Sequence, residues 1–246
     1  MTHADLRRAL DDAGGVNPFF AVPEAPAAGG WAPLPDLWRR PGLLAAEVAA
    51  VRARLAAGRP VAVVEVRVAA SLLFQSLASR LLSPAAATAL SHGLLAPPEA
   101  LRWRPARPAG LALALAAGAR PVPVAERTPR AAAEAVARHV VAGALAPAAD
   151  ALRAQVRLAP RLLYGNAASS LAGTVLALAR ARPPLAADAF ALGRALLARP
   201  PLAGLGSFTG TGPAQAAFTR TTCCLYYRLP GGGYCGDCAV AARRTR

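Results

Sequence analysis

Neither lysine nor isoleucine occurs in the 246 residues, and no cysteine precedes Cys223. Without lysine there is no G-x-x-x-x-G-K-[ST] phosphate loop, and no G-x-S-x-G nucleophile elbow is present either. Aromatic residues make up 5% of the chain, so alanine, leucine and valine must fill the core. Charged residues, at 17%, are too few for a coiled coil or a solvated tail. The longest apolar run before Arg120, Pro108 to Ala119, falls short of the about 20 residues that a bilayer-spanning helix needs. Met1 to Asp12 contains no apolar stretch of the secretory kind. These absences predict a cytoplasmic chain with no transmembrane segment. Thiols stay reduced in that compartment, so a disulfide is disfavoured.

Hydrophobic residues make up 55% of the chain, and the length is ample for a packed core. Arginine supplies every basic side chain, 28 against 13 Asp and Glu, for a formal net charge of +15. Alanine is about a quarter of the sequence. That bias, with lysine and isoleucine missing, has the look of GC-rich codon usage and weakens a functional reading of the charge. The arginines are scattered without interleaved aromatics, and the one local run is Arg243 to Arg246. No nucleic acid is therefore expected as a partner. A generally positive surface favouring anionic partners is.

The pattern predicts a mainly α-helical fold with a minor β element and a loop-rich C-terminal segment. Three regions are expected: a Pro/Gly-rich segment over 1–42, extended from Val16 to Gly42; a mostly helical domain over 43–203; and a C-terminal segment over 204–246. Leu43 to Ala57 reads as an amphipathic helix closed by Gly58. Val61 to Leu82 reads as one long buried helix, with Pro84 starting a shorter one that ends near Gly93. Residues 101–124 read as strands and turns. Thr128 caps a helix with Pro129 at its first position, running to about Ala144. Helices at about 148–158 and 161–182 follow, and Asp188 caps another that reaches Arg199.

All four cysteines lie between 223 and 238, spaced C-C-x10-C-x2-C. Cys235 and Cys238 form a turn that presents two sulfurs to one centre, as in zinc and iron–sulfur sites. Pro230 and Gly231 to Gly233 let the loop fold back toward Cys223 and Cys224. Adjacent side chains in a strand point to opposite faces, so a vicinal pair reaches one centre only from a bend. A two-iron cluster accommodates that pair better than one tetrahedral zinc ion, and the zinc site stays open as the alternative. His3, His92 and His139 are too scattered to add ligands. Gly204 to Gly210 has the wrong spacing for a dinucleotide loop, and Pro213 follows it, so it reads as a lead-in loop. Asn166, Ser169 and Ser170 interrupt an apolar helical stretch, either as locally satisfied packing groups or as support for a site.

The segment Arg220 to Cys238 resembles the C-terminal signature of the FhuF-type ferric-siderophore reductases, including the Thr-Thr before the cysteine pair and the glycine run after Leu229-Pro230. Ala69 to Pro84 and Leu162 to Ala172 are also similar to that family, which usually has Trp at the position of Tyr164. The resemblance covers roughly 60–246. It implies a [2Fe–2S] cluster held by Cys223, Cys224, Cys235 and Cys238, and one-electron reduction of a ferric siderophore, of hydroxamate type. The electron would come from an external ferredoxin or flavoprotein, since no nucleotide site is visible in the chain. Arg220, Arg228, Tyr226, Tyr227 and Tyr234 are candidates for tuning the cluster or shaping a docking face. A zinc-stabilised module, or an iron–sulfur sensor without reductase activity, is the competing expectation.

Overall fold

The computed structural model describes residues 1–40, 42–106, 110–209 and 215–244. Its fold is mainly α with small antiparallel sheets. The first helix lies where only a Pro/Gly-rich segment is expected. Helix α1 (His3–Gly14) opens on a capping box, in which the Asp5 N–H donates to the Thr2 hydroxyl at 3.2 Å and the Thr2 N–H donates to the Asp5 carboxylate at 2.7 Å. Leu6, Ala9, Leu10 and Ala13 then fall on one face and join the main core. After α1 the chain is irregular apart from β1 (Ala32–Pro33) and α2 (Asp36–Arg39). Helix α3 (Leu43–Ala56) follows as expected, bounded by left-handed Gly42 and Ala57.

The next stretch corrects the sequence reading twice. Val61–Val63 is an exposed 3-10 turn, and the long helix α4 begins only at Val66. It then runs to His92 straight through Pro84, which starts no new helix. An interior proline costs about 3 kcal/mol by removing one hydrogen bond and crowding the preceding turn. Here Ser83, Pro84 and Ala85 are buried, and Ser83 shares a 2.9 Å hydroxyl–hydroxyl bond with Thr174. Packing around the proline holds the helix through it.

Strands β2 (Leu94–Leu95), β3 (Leu101–Ala106), β4 (Gly110–Leu115) and β5 (Val122–Pro123) make up the expected strand-and-turn region. β3 and β4 pair antiparallel, with Trp103 opposite Leu113, and β1 adds to the free edge of β3. The turn predicted at Pro108-Ala109 lies outside the described residues. Thr128 caps α5 (Pro129–Val136), which continues through a π-helical stretch, Ala137–Leu145, into α6 (Ala146–Gln155). The two helices expected there are therefore one uninterrupted helical stretch.

Helix α7 (Pro160–Ala181) is long and apolar enough to cross a membrane, yet 67% of its apolar window is buried, and it packs on α4 and on α8 (Ala186–Leu197). Asp188 does not cap α8. A 3-10 turn, Pro183–Leu185, feeds directly into the helix, which leaves Asp188 in its first turn. There its carboxylate still opposes the positive end of the helix dipole.

Polar contacts pair Ser71 with Asn166, Gln75 and Ser79 with Ser170, and Ser83 with Thr174. Both numberings rise together, so α4 and α7 run parallel along a seam of small polar side chains. The expected lead-in loop after Gly204 holds a hairpin instead, β6 (Gly206–Thr209) and β7 (Ala217–Arg220). A Cβ at Gly206 would lie 2.2 Å from the Phe218 ring, so only glycine allows this pairing. Phe208 meets both Phe190 and Phe218 edge-on at 5.3 Å, fastening the hairpin to α8. Gly210 and Pro213 of the predicted loop, and Thr245 and Arg246 of the terminal run, lie outside the described residues. The chain ends its described part in α9 (Ala239–Arg244).

Candidate functional site

β7 ends at Arg220, and the four cysteines follow within eighteen residues. The Arg220 N–H donates to the Asp237 carbonyl at 3.2 Å, and Thr221 reaches back to the Leu205 and Gly204 carbonyls at 3.0 Å. Thr222 then settles on α7 at Gly165, where a Cβ would stand 1.8 Å from the threonine hydroxyl. Leu225 adopts a left-handed conformation with φ of 70°, which supplies the bend that the vicinal pair requires. Its N–H donates to the Cys223 sulfur at 3.3 Å. Gly232 packs under the backbone, where a Cβ would stand 2.5 Å from the Tyr226 carbonyl oxygen. The loop thus folds back, and the Cys238 N–H donates to the Cys235 carbonyl at 3.1 Å to close the second turn.

The Cys224 and Cys235 sulfurs come within 3.7 Å of each other. Tetrahedral coordination with metal–sulfur bonds of about 2.3 Å sets two sulfur ligands about 3.8 Å apart, so this pair already spans one edge of such a centre. Among the described residues no three His, Cys, Asp or Glu side chains converge as a single ion would require. Cys224 and Cys238 are buried, whereas Cys223 and Cys235 are partly exposed. Donation from the Cys235 thiol holds Cys224 below the ordinary thiol range, and the same contact holds Cys235 above it. Burial pushes Cys223 up, against the Leu225 N–H and the Arg220 charge.

The sequence offered Arg220 as one of several tuning candidates, and the structure gives it the deepest position, 1% exposed. Its Nη2 donates to the Asn166 Oδ1 on α7. Asn166 Nδ2 donates to the Ser71 carbonyl and hydroxyl on α4, at 2.9 and 2.8 Å, and the Ser71 hydroxyl donates to the Cys224 carbonyl at 2.8 Å. Arg220 Nε and Nη1 are buried without a hydrogen-bond partner among the described residues. An uncompensated buried guanidinium is expensive, and its charge acts on both Cys223 and Cys224. A cluster ligated by four thiolates is anionic and presents sulfur acceptors, so these orphaned donors fit one.

The other candidates divide. Arg228 pairs with Glu65 at the start of α4 and so tethers the loop. Tyr227 and Tyr234 stack on each other at 6.2 Å between centroids. Tyr226 lines a cleft beside Cys224 and Cys235. Ser169 and Ser170 belong to the α4–α7 seam, leaving Asn166 as the member of that trio that reaches the cysteine loop. His3 and His92 contact Glu24 and Asp12, away from the cysteines. Sequence reasoning missed Ser71, Gly165 and Phe19, whose ring lines the same cleft as Tyr226. Ser71 and Gly165 lie inside the two helical stretches that resemble the family, which was the available signal for them.

Residues 220–239 match the family model of the FhuF 2Fe-2S C-terminal domain. A search of curated proteins found no match to the chain. The matched domain points to a [2Fe–2S] cluster as cofactor and to an iron–sulfur, siderophore-related protein.

Proposed function

We propose, from the premise that residues 220–239 are an FhuF-type [2Fe–2S] segment, that this chain is a cytoplasmic ferric-siderophore reductase. Cys223, Cys224, Cys235 and Cys238 are the proposed ligands. The observation that carries the reading is Arg220: a buried cation whose Nε and Nη1 have no partner among the described residues, and whose charge acts on Cys223 and Cys224, is arranged for an anionic metal–sulfur group. A [2Fe–2S] cluster held by these thiolates would supply one-electron chemistry, with an external ferredoxin or flavoprotein as the source of the electron. That electron converts Fe(III) in the chelate to Fe(II). Ferric ion is held tightly by hard oxygen donors such as hydroxamates and ferrous ion much less so, so the metal loosens on reduction.

No bond to carbon forms or breaks, so the residues have limited tasks. Arg220 holds positive charge where negative charge increases on reduction. Asn166 and Ser71 fix the guanidinium and the Cys224 backbone relative to each other. The two turns keep part of the sulfur set near the surface, where donor and acceptor can approach without a buried channel.

Cysteine-to-serine variants and visible spectra test the assignment. The purified holoprotein should absorb above about 400 nm through iron–thiolate charge transfer. Each of the four variants should bleach or destabilise that absorption, whereas H3A, H92A and H139A should not. A colourless protein containing bound zinc would contradict the reading, as would a cysteine variant that keeps full cluster occupancy and an unchanged EPR spectrum.

A further inference from the structure

One face of α4 and two aromatic rings enclose a cleft of about 350 Å³ against the Cys224 and Cys235 sulfurs. Its helix side is Leu72, Gln75, Ser76 and Ser79, one stripe at helical spacing. Phe19, from the loop after α1, and Tyr226, from the cysteine loop, form its walls. Both rings are substantially exposed, at 47% and 40%. A second cleft of about 390 Å³ lies on the Gly236-Asp237 side and is lined by Arg180 and Asp237, with no cysteine among its lining residues. Of these two, the Phe19–Tyr226 cleft is the one whose lining includes cysteines.

The cleft's own lining carries no charged side chain, and the cation at its Phe19 wall is Arg80. Arg80, one helical turn beyond Ser76, places its guanidinium over the Phe19 ring, 5.5 Å from the centroid. Arg80 Nε is buried without a hydrogen-bond partner, and no carboxylate pairs with this side chain among the described residues. Half-buried, it has no counter-charge among the described residues, in a chain of net charge +15.

Resting on the reductase reading above, we infer that the Phe19–Tyr226 cleft seats the ferric chelate and that Arg80 makes it prefer chelates with a negatively charged periphery. The cleft is too small to engulf a hexadentate chelate, so it holds one edge of it. Phe19 and Tyr226 cover the apolar backbone of the chelator, and the Ser76 hydroxyl and the Gln75 amide oxygen offer hydrogen bonds to its amides. Preference is then set by the outer charge of the chelate rather than by its iron-binding oxygens, which the cleft does not read.

The test uses a matched pair of substrates with the holoprotein: a linear ferric trihydroxamate ending in an ammonium group, and the same chelate with that amine succinylated to end in a carboxylate. The wild type should show a lower KM for the carboxylate form. Arg80→Gln should reverse or erase that preference, raising the KM for the carboxylate form roughly fivefold, as expected for one screened charge pair. Its visible spectrum and reduction by dithionite should match the wild type. Ser76→Trp, which fills the cleft, should raise the KM for both chelates with the spectrum again unchanged. Equal KM values in the wild type, or a Ser76→Trp variant with unaltered KM for both, would overturn the inference while leaving the reductase reading intact. A wild type with a normal cluster that reduces neither chelate would instead remove the reading on which it rests.

Discussion

Arg220 and Asn166 lie fifty-four positions apart in the chain and meet guanidinium to amide in a fully buried contact between β7 and α7. Through Asn166 the arginine is tied to Ser71 on α4, and through Ser71 to the carbonyl of Cys224. The cysteine loop is therefore referenced to both central helices by one chain of hydrogen bonds.

Removing the arginine charge should make the cluster harder to reduce. Arg220→Met is expected to shift the midpoint negative by roughly 60 mV or more, the one-electron equivalent of about 1.4 kcal/mol. Arg220→Lys should recover part of the shift. An EPR-monitored redox titration measures it, and an unchanged midpoint in a fully loaded Arg220→Met protein would remove the arginine from the account.

Asn166→Ala leaves both the guanidinium and Ser71 short of a partner. Orphaning buried groups of this kind costs about 1–3 kcal/mol each. For a chain of this size the expected drop in Tm is roughly 5–10 °C, read by thermal unfolding of the holoprotein. Ser169→Ala, at a partly exposed rung of the same helix, should change Tm little.

Two glycines on α7 offer a matched comparison. A Cβ at Gly165 would stand 1.8 Å from the Thr222 hydroxyl, whereas one at Gly173 would meet nothing within 4 Å. Gly165→Ala should push the cysteine loop off the helix and lower cluster occupancy. Gly173→Ala should be neutral or stabilising by up to about 1 kcal/mol, because alanine is the better helix former. Iron content per chain and Tm together separate the two.

Asp12 ties the end of α1 to His92 at 3.0 Å and to Arg182 at 2.7 Å. The hydrogen bond from His92, then that from Arg182, holds its carboxyl below the ordinary 3.8. A depressed carboxyl contributes stability that is present above the unfolded value and lost as pH falls through the folded one. The side chain is more than a third exposed, so the contribution should be small, under about 1 kcal/mol. Urea midpoints of the wild type should fall below about pH 4 more steeply than those of Asp12→Asn. Parallel curves would mean that the contacts contribute nothing.

Much of the site was legible because its residues are close in sequence. The C-C-x10-C-x2-C spacing, the glycines that let the loop return and the bend required at the vicinal pair can all be read locally, and Leu225 and Gly232 supply the conformations. What holds the loop could not be read that way. Ser71 and Gly165 lie on two distant helices, and Asn166 gave only the hint of a polar side chain in an apolar helix. The fold shows the same division. Capped α5 and α3, which ends just before Gly58, follow local rules. α4 instead passes through Pro84 because α7 packs beside it, which no window of sequence reveals. The α1 capping box was written in Thr2 and Asp5 but was masked by the composition around it.

The chain presents no nucleotide loop in its sequence, so NADPH alone should not bleach the oxidised cluster. Anaerobic mixing followed at visible wavelengths checks this. Rapid bleaching without a second protein would place a nicotinamide site in the chain and remove the need for a ferredoxin or flavoprotein donor.

A single-turnover reaction measures the central claim most directly. The holoprotein, reduced with dithionite and freed of excess reductant, is mixed anaerobically with a ferric siderophore and a ferrous-specific chelator, while cluster absorption and the ferrous complex are followed together. The account predicts that absorption of the oxidised cluster returns in step with the appearance of one ferrous ion per cluster, and that both are lost in Cys224→Ser. A cluster that stays reduced in the presence of the ferric chelate, or reoxidises without ferrous ion appearing, would contradict it.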